Sequence, residues 1–178
     1  MSRYRRSLVT GGMFFFTVNL ADRKSRMLLD EIKRFRHASD LVRVRHPFKT
    51  IAYCVLLDHL HAIWQLPEGD ADFGTRWSTI KRTFSAGLAT GSGRSASKIA
   101  KREKGIWQRR FWEHQIRDDA DLQRHVDYVH FNPVKHGYAA RVSDWPHSSF
   151  HEYVKRGWLP SDWAGTAVDG EAVAKGER

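Results

Sequence analysis

Tyr53-Cys54-Val55-Leu56-Leu57-Asp58-His59-Leu60-His61-Ala62-Ile63-Trp64-Gln65-Leu66 is the stretch on which the reading of the chain turns. It predicts two short apolar strands with a tight reversal near Leu57-Asp58. Side chains alternate along a strand, so His59 and His61 share one face, about 7 Å apart along it. Leu60, Ala62, Trp64 and Leu66 share the opposite, apolar face. That pattern leaves the histidine face as the one the core does not claim. Two imidazoles on one face of a rigid strand make two-thirds of a facial metal site. Such a pair alone is more often ordinary surface than a site. The rest of the chain must therefore supply a third ligand and something that reacts.

At 178 residues the chain is long enough for one domain with its own core, and 41% of it is hydrophobic. Lysine and arginine number 30 against 20 acidic residues, a net charge of +10. That balance points to a polyanion partner. A single cysteine, Cys54, excludes a disulfide framework and reads as a buried, inert thiol. No apolar run approaches membrane-spanning length. The run Met13-Phe14-Phe15-Phe16 after Arg3, Arg5 and Arg6 is too short for a signal peptide and lacks a small-residue cleavage site. A cytoplasmic, nucleoid-associated protein is expected.

Outward from the histidine strand, residues Gly11 to Leu20 read as a phenylalanine-rich strand. Ser25 to Val44 read as one helix with Leu28, Leu29, Ile32, Phe35 and Leu41 on its apolar side. Phe73 to Leu88 is a second helix, with Trp77, Ile80, Phe84 and Leu88 at helical spacing. Residues 87–105 are expected to form a mobile basic loop with a short helical piece near Ala96 to Arg102. Between Arg76 and Arg110 there are ten basic residues and one acid, Glu103. Nearly all the excess charge thus sits in one stretch, interleaved with Trp77, Trp107, Phe111 and Trp112. Basic groups that hold a backbone, beside rings that stack on unpaired bases, suit nucleic acid. Trp107 to Arg117 reads as a strand, a candidate hairpin partner of the histidine pair. Asp118 caps a further helix that Pro133 and Gly137 should stop near Phe131 or Asn132. On it Leu122, Val126 and Val129 form the core stripe, flanked by a face carrying Asp121, His125, Tyr128 and Asn132. The tail from Ala164 has no periodicity and is expected to be disordered.

Several ordered blocks carry a resemblance. They are Phe14-Phe15-Phe16-Thr17 after two glycines, Asp58-His59-Leu60-His61, and Trp107-Gln108-Arg109-Arg110-Phe111-Trp112-Glu113-His114. Tyr128-Val129-His130-Phe131-Asn132-Pro133-Val134-Lys135, then Asp144-Trp145-Pro146 with Ser148-Ser149-Phe150, complete the set. In this order, over residues 8 to 163, the chain resembles the REP-associated tyrosine transposases. These are HUH nucleases related to the single-strand transposases of insertion sequences. Leu57 departs from the pattern, standing where the family often has proline.

The resemblance implies an α+β, ferredoxin-like antiparallel sheet with helices packed on it, the HUH nuclease fold, over residues 1–163. It implies that His59, His61 and Asn132 hold Mg²⁺ or Mn²⁺, and that Tyr128 attacks phosphorus to give a 5′-phosphotyrosine. His125 and His130 are candidates to assist. The implied substrate is single-stranded DNA at hairpins of repeated extragenic palindromes. Arg5, Arg6, Lys81, Arg82, Arg109, Arg110 and Lys135 are candidate phosphate contacts. The working form is a monomer or a homodimer. Two other classes compete. One is a domesticated hairpin-binding protein with little or no catalysis, disfavoured by the intact His59, His61, Tyr128 and Asn132. The other is a zinc hydrolase of small molecules, disfavoured by the missing Cys or Glu ligand motif and by the basic stretch.

Overall fold

The computed structural model describes residues 9–91 and 94–163. Arg5, Arg6 and the tail from Ala164 lie outside the described residues. Four antiparallel strands form one sheet: β1 (Met13–Asn19), β2 (Lys49–Val55), β3 (His59–Gln65) and β4 (Trp112–Gln115), in the order β2-β3-β1-β4. The helices are α1 (Met27–Asp30), α2 (Ile32–Arg45), α3 (Phe73–Ser85), α4 (Ala96–Ala100), α5 (Asp119–Lys135) and α6 (Phe150–Lys155). A 3₁₀ turn, Val142–Asp144, precedes α6. This is the α+β architecture expected.

Alternation along the strands sorts the core into two layers. Phe14, Phe16, Val18, Leu60, Ala62 and Trp64 face α2 and α3, and meet Phe35, Val42, Trp77 and Phe84. Phe15, Ala52, Cys54 and Ile63 face α5, with Val126, Tyr128 and Val129. The histidine face is therefore not left to solvent. α5 covers it, and His59 and His61 are buried. The error has a simple cause: a strand with both faces covered need not have two apolar faces if one carries a buried polar site. Cys54 is fully buried, and burial pushes its thiol pKa up.

Other expectations shift at their edges. Glu31, at φ −109° and ψ 28°, breaks the predicted long helix into α1 and α2. Leu28 is drawn under the reversal, its N–H donating to the Leu57 carbonyl at 3.4 Å. Leu41 is exposed; Ala38 and Val42 carry the core stripe instead. β4 pairs with β1, not with the histidine pair, because β2 and β1 already occupy both edges of β3. α5 runs through Pro133 to Lys135, since a missing N–H costs only one bond there. The helix ends at Gly137, φ 70°, where Gly137 and Tyr138 donate their N–H groups to Val134 and Pro133. The edge of β2 is closed by residues 147–149: Val55 N donates to His147 O and Ser149 N to Tyr53 O. This explains structurally why the Ser148-Ser149 block belongs with the strand pair.

Candidate active site

Both strand histidines are held by their Nδ1 atoms. His59 Nδ1 lies 2.7 Å from Asp58 Oδ1, and Arg23 Nε pairs with Asp58 Oδ2 at 3.0 Å. Burial alone would raise the Asp58 pKa. The hydrogen bond and charge of His59, with Arg23, hold it below the usual carboxylate range. His61 Nδ1 lies 2.9 Å from Thr17 Oγ1, its direct cross-strand neighbour in β1. With Nδ1 engaged on each ring, Nε2 is the nitrogen presented to the cleft under α5. The rings stand 5.1 Å apart at 86°.

α5 brings the rest. Its N-terminus is capped by Asp118, whose Oδ1 accepts the Asp121 N–H at 2.7 Å. From there the 3.6-residue period turns Asp121, His125, Tyr128 and Asn132 toward the sheet, and all four are buried. The Tyr128 ring stands edge-on to His61, centroids 5.2 Å apart. Asn132 is fully buried one turn further on. Its carboxamide lies close enough to His61 to favour the protonated imidazole, yet neither amide atom makes a hydrogen bond of ordinary geometry. Burial, then the charges of His59, His136 and Lys135, outweigh it and drive the His61 pKa well below normal. A buried amide left unsatisfied in this way costs stability unless something else binds it.

One full-length relative, a REP-associated tyrosine transposase of Escherichia coli (strain K12), is 47% identical over 178 residues, covering 100% of this chain and 98% of its own. The chain belongs to the REP-associated tyrosine transposases. A relative in Haemophilus influenzae under the same family name is 48% identical over 166 residues, 93% of this chain and 94% of its own. The solved structure of a REP-associated tyrosine transposase bound to a REP hairpin superimposes with a TM-score of 0.82 at 48% identity, covering 93% of each chain. No family model matches the chain. The tyrosine transposase identity and the fold thus agree with the site geometry. Membership also implies a divalent metal.

Around this candidate site, the other predicted residues fall into distinct places. His130, two residues beyond Tyr128 and so on another side of α5, lies 2.9 Å from Ser149 Oγ and packs on Tyr153. Burial pushes its pKa down to about 3. His125 shares a buried network with Asp121 and His114. The Asp121 carboxylate meets His114 Nε2 at 2.9 Å, the Arg117 N–H at 3.1 Å and Arg124 at 3.3 Å. His125 Nδ1 donates to the Asp121 carbonyl at 2.8 Å, and the two imidazoles stack 4.6 Å apart. The three side chains are close enough to hold a cation. With its oxygens already accepting from this many donors, Asp121 reads as a brace tying α5 to β4.

Lys81, Arg82 and Arg109 meet Arg102, Lys104 and Trp107 in a groove of about 540 Å³ between α3 and the 102–109 segment. That segment pairs with Asn19 and Ala21, at the end of the sheet that carries His59. Arg110 is exposed beside it. Lys135 is elsewhere: its Nζ lies 4.6 Å from the centre of the Tyr128 ring. Sequence reasoning missed Thr17, Arg23, Asp58 as a support, and His136. Only Asp58 carried a signal, its adjacency to His59.

No helix of the described residues is long and apolar enough to cross a membrane.

Proposed function

We propose that this chain cleaves and rejoins single-stranded DNA beside hairpins of repeated extragenic palindromes, through a 5′-phosphotyrosine on Tyr128. The observation that carries the reading is the meeting of Tyr128 and Asn132, from one face of α5, with the two anchored imidazoles of β3. His59 and His61 through Nε2, and Asn132 through its amide oxygen, would hold Mg²⁺ or Mn²⁺. The donor set fits, because the buried and unsatisfied carboxamide needs a partner and two nitrogen ligands suit Mn²⁺ as well as Mg²⁺. When bound, the cation supplies charge neutralisation at the scissile phosphate and holds it in line.

The chain's own residues do the rest. Tyr128 Oη attacks phosphorus; the Tyr128–phosphate bond forms as the bond to the 3′-oxygen breaks. The phenolic proton is lost and the 3′-oxygen leaves as a hydroxyl. Lys135, above the phenol ring, supplies a positive charge where the phenolate develops. The retained phosphoester lets the strand be rejoined without an external energy source. Tyr128 acts on the histidines of its own chain, so a monomer suffices for cleavage. The basic groove of Lys81, Arg82 and Arg109 holds hairpin phosphates. The protein works in the cytoplasm, at the nucleoid.

The test is incubation with an end-labelled hairpin oligonucleotide and Mg²⁺ or Mn²⁺. A covalent protein–DNA adduct is expected, lost in Tyr128→Phe. Tight hairpin binding with no adduct would instead mark a hairpin-binding protein without catalysis.

A further inference from the structure

We propose that Arg23 is a substrate contact: its guanidinium binds a backbone phosphate of the single strand that passes the His59–His61 face. The inference rests on the reading above, in which that face receives single-stranded DNA. Asp58 links the two groups directly. Its Oδ1 meets His59 Nδ1 at 2.7 Å and its Oδ2 meets Arg23 Nε at 3.0 Å. The guanidinium and the imidazole therefore stand one carboxylate apart, in a fixed relation. Arg23 Nη1 also donates to Asn19 Oδ1, and Asn19 is the direct cross-strand neighbour of His59. A guanidinium carries five N–H groups, and these anchors use two of them. The Arg23 side chain is 49% exposed and that of Asp58 only 6%. The carboxylate is thus turned inward, and what faces solvent is the donor edge of the arginine. A planar fork of donors is the group that fits a phosphate best.

The chain holds this arginine in place before DNA arrives. Leu20 N–H donates to the Asp58 carbonyl at 2.7 Å, and Ala21 N–H to the Ile106 carbonyl at 2.9 Å. Asp22 Oδ1 then accepts the Lys24 N–H at 2.9 Å and turns the segment at Arg23. A long side chain already fixed at two points loses less freedom on binding than a loose surface arginine. Ile106 also lines the basic groove of Lys81, Arg82 and Arg109, so Arg23 stands on the loop that joins that groove to the histidine face. The surroundings suit an unpaired strand. His136 packs on the His59 ring, centroids 5.1 Å apart, and Tyr138 stacks on His136 at 5.6 Å and 15°. Tyr138 is 38% exposed, and Asp58 and Arg23 lie close enough for their charges to act on its phenol. A fixed cation beside an exposed ring offers one contact for a backbone and one for a base.

The experiment measures metal-free binding of the full chain, by fluorescence anisotropy, to a REP hairpin with single-stranded flanks and to the same hairpin trimmed blunt. Arg23→Gln and Arg23→Lys are compared with wild type, and melting temperatures confirm folding. Arg23→Gln should bind the flanked hairpin about tenfold more weakly and the blunt one nearly as wild type does. Its salt slope on the flanked hairpin should fall by about 0.7. Arg23→Lys, which keeps a charge on Asp58 but loses the fork, should recover part of the DNA affinity and change Mn²⁺ affinity less than about threefold. A neutral methylphosphonate is then walked through the flanks, one phosphate at a time. At one position wild type should lose about tenfold and Arg23→Gln nothing further, because the partner is already gone. Additive losses at every position, or an equal loss on the blunt hairpin, would overturn the proposal. So would a fall in Mn²⁺ affinity with DNA binding unchanged, which would leave Arg23 as a brace for Asp58. If wild type holds the flank through Arg23 yet forms no adduct with metal, the cleavage reading fails while this contact stands.

Discussion

The phenol ring of Tyr128 and the imidazole of His61 meet edge to face, 5.2 Å apart, within one chain. Phe15 packs against both, at 5.9 Å from Tyr128 and 5.5 Å from His61. Tyr128 and the histidine pair are therefore parts of one packed unit, with β1 and α5 as its walls. A mixture of Tyr128→Phe and His59→Ala proteins should form no more covalent DNA adduct than either alone. Recovery of adduct in the mixture would mean that a tyrosine serves the histidines of a partner.

Thr17 and Asp58 hold the two Nδ1 atoms, so their removal should act through the histidines they orient. Thr17→Val and Asp58→Asn are each expected to weaken Mn²⁺ binding about 10- to 100-fold. Hairpin affinity without metal should be nearly unchanged. Metal titration beside a hairpin-binding assay separates the two effects. Equal losses in both assays would show a general disturbance of the sheet.

Much of this arrangement was legible in the chain, and the parts that were not have specific physical causes. The period-two pattern of β3 put His59 and His61 on one face and the 3.6-residue spacing put Tyr128 and Asn132 on one helix face, because alternation and helical phase are local; only the family resemblance joined the two faces into a candidate site. Burial of the histidine face was missed, because the cover comes from a helix some sixty residues later and no local pattern encodes that packing. Thr17 was missed for a related reason: its role follows from cross-strand register with His61, which the spacing of either strand alone does not determine. His136 lay just past the expected helix end, since Pro133 was read as a stop rather than as a residue of the last turns. Lys135 was read as a phosphate contact, and only the fold places it over the Tyr128 ring.

The split between the groove and Lys135 has a measurable consequence. Arg82→Ala and Arg110→Ala should weaken hairpin binding and each reduce the slope of log affinity against log salt by about 1. Adduct formation at saturating DNA should be unaffected. Lys135→Ala should do the reverse, slowing adduct formation about tenfold or more with little change in the salt slope. The same salt titrations, read beside single-turnover adduct rates, check both.

His130 makes stability depend on pH. Its folded pKa is about 3 against an ordinary 6.5, so between these values the unfolded chain takes up a proton that the folded protein does not. The contribution is fully present above pH 6.5 and is lost as the pH falls through that window, by about 1.4 kcal/mol per unit for this residue. His130→Gln, which keeps a hydrogen-bonding group toward Ser149, should flatten the acid limb of stability by about one proton between pH 4 and 6. Urea unfolding at several pH values measures it; an unchanged slope would mean His130 titrates normally in the folded protein.

The most direct test is to locate the covalent bond. After reaction with a hairpin substrate and nuclease trimming, tryptic digestion should leave the nucleotide mass on the peptide His125 to Lys135, whose one tyrosine is Tyr128. The account predicts a phosphodiester to that tyrosine, formed only with divalent metal. Attachment at Tyr53, Tyr138 or Tyr153, or cleavage products with no attached nucleotide at any time, would contradict it.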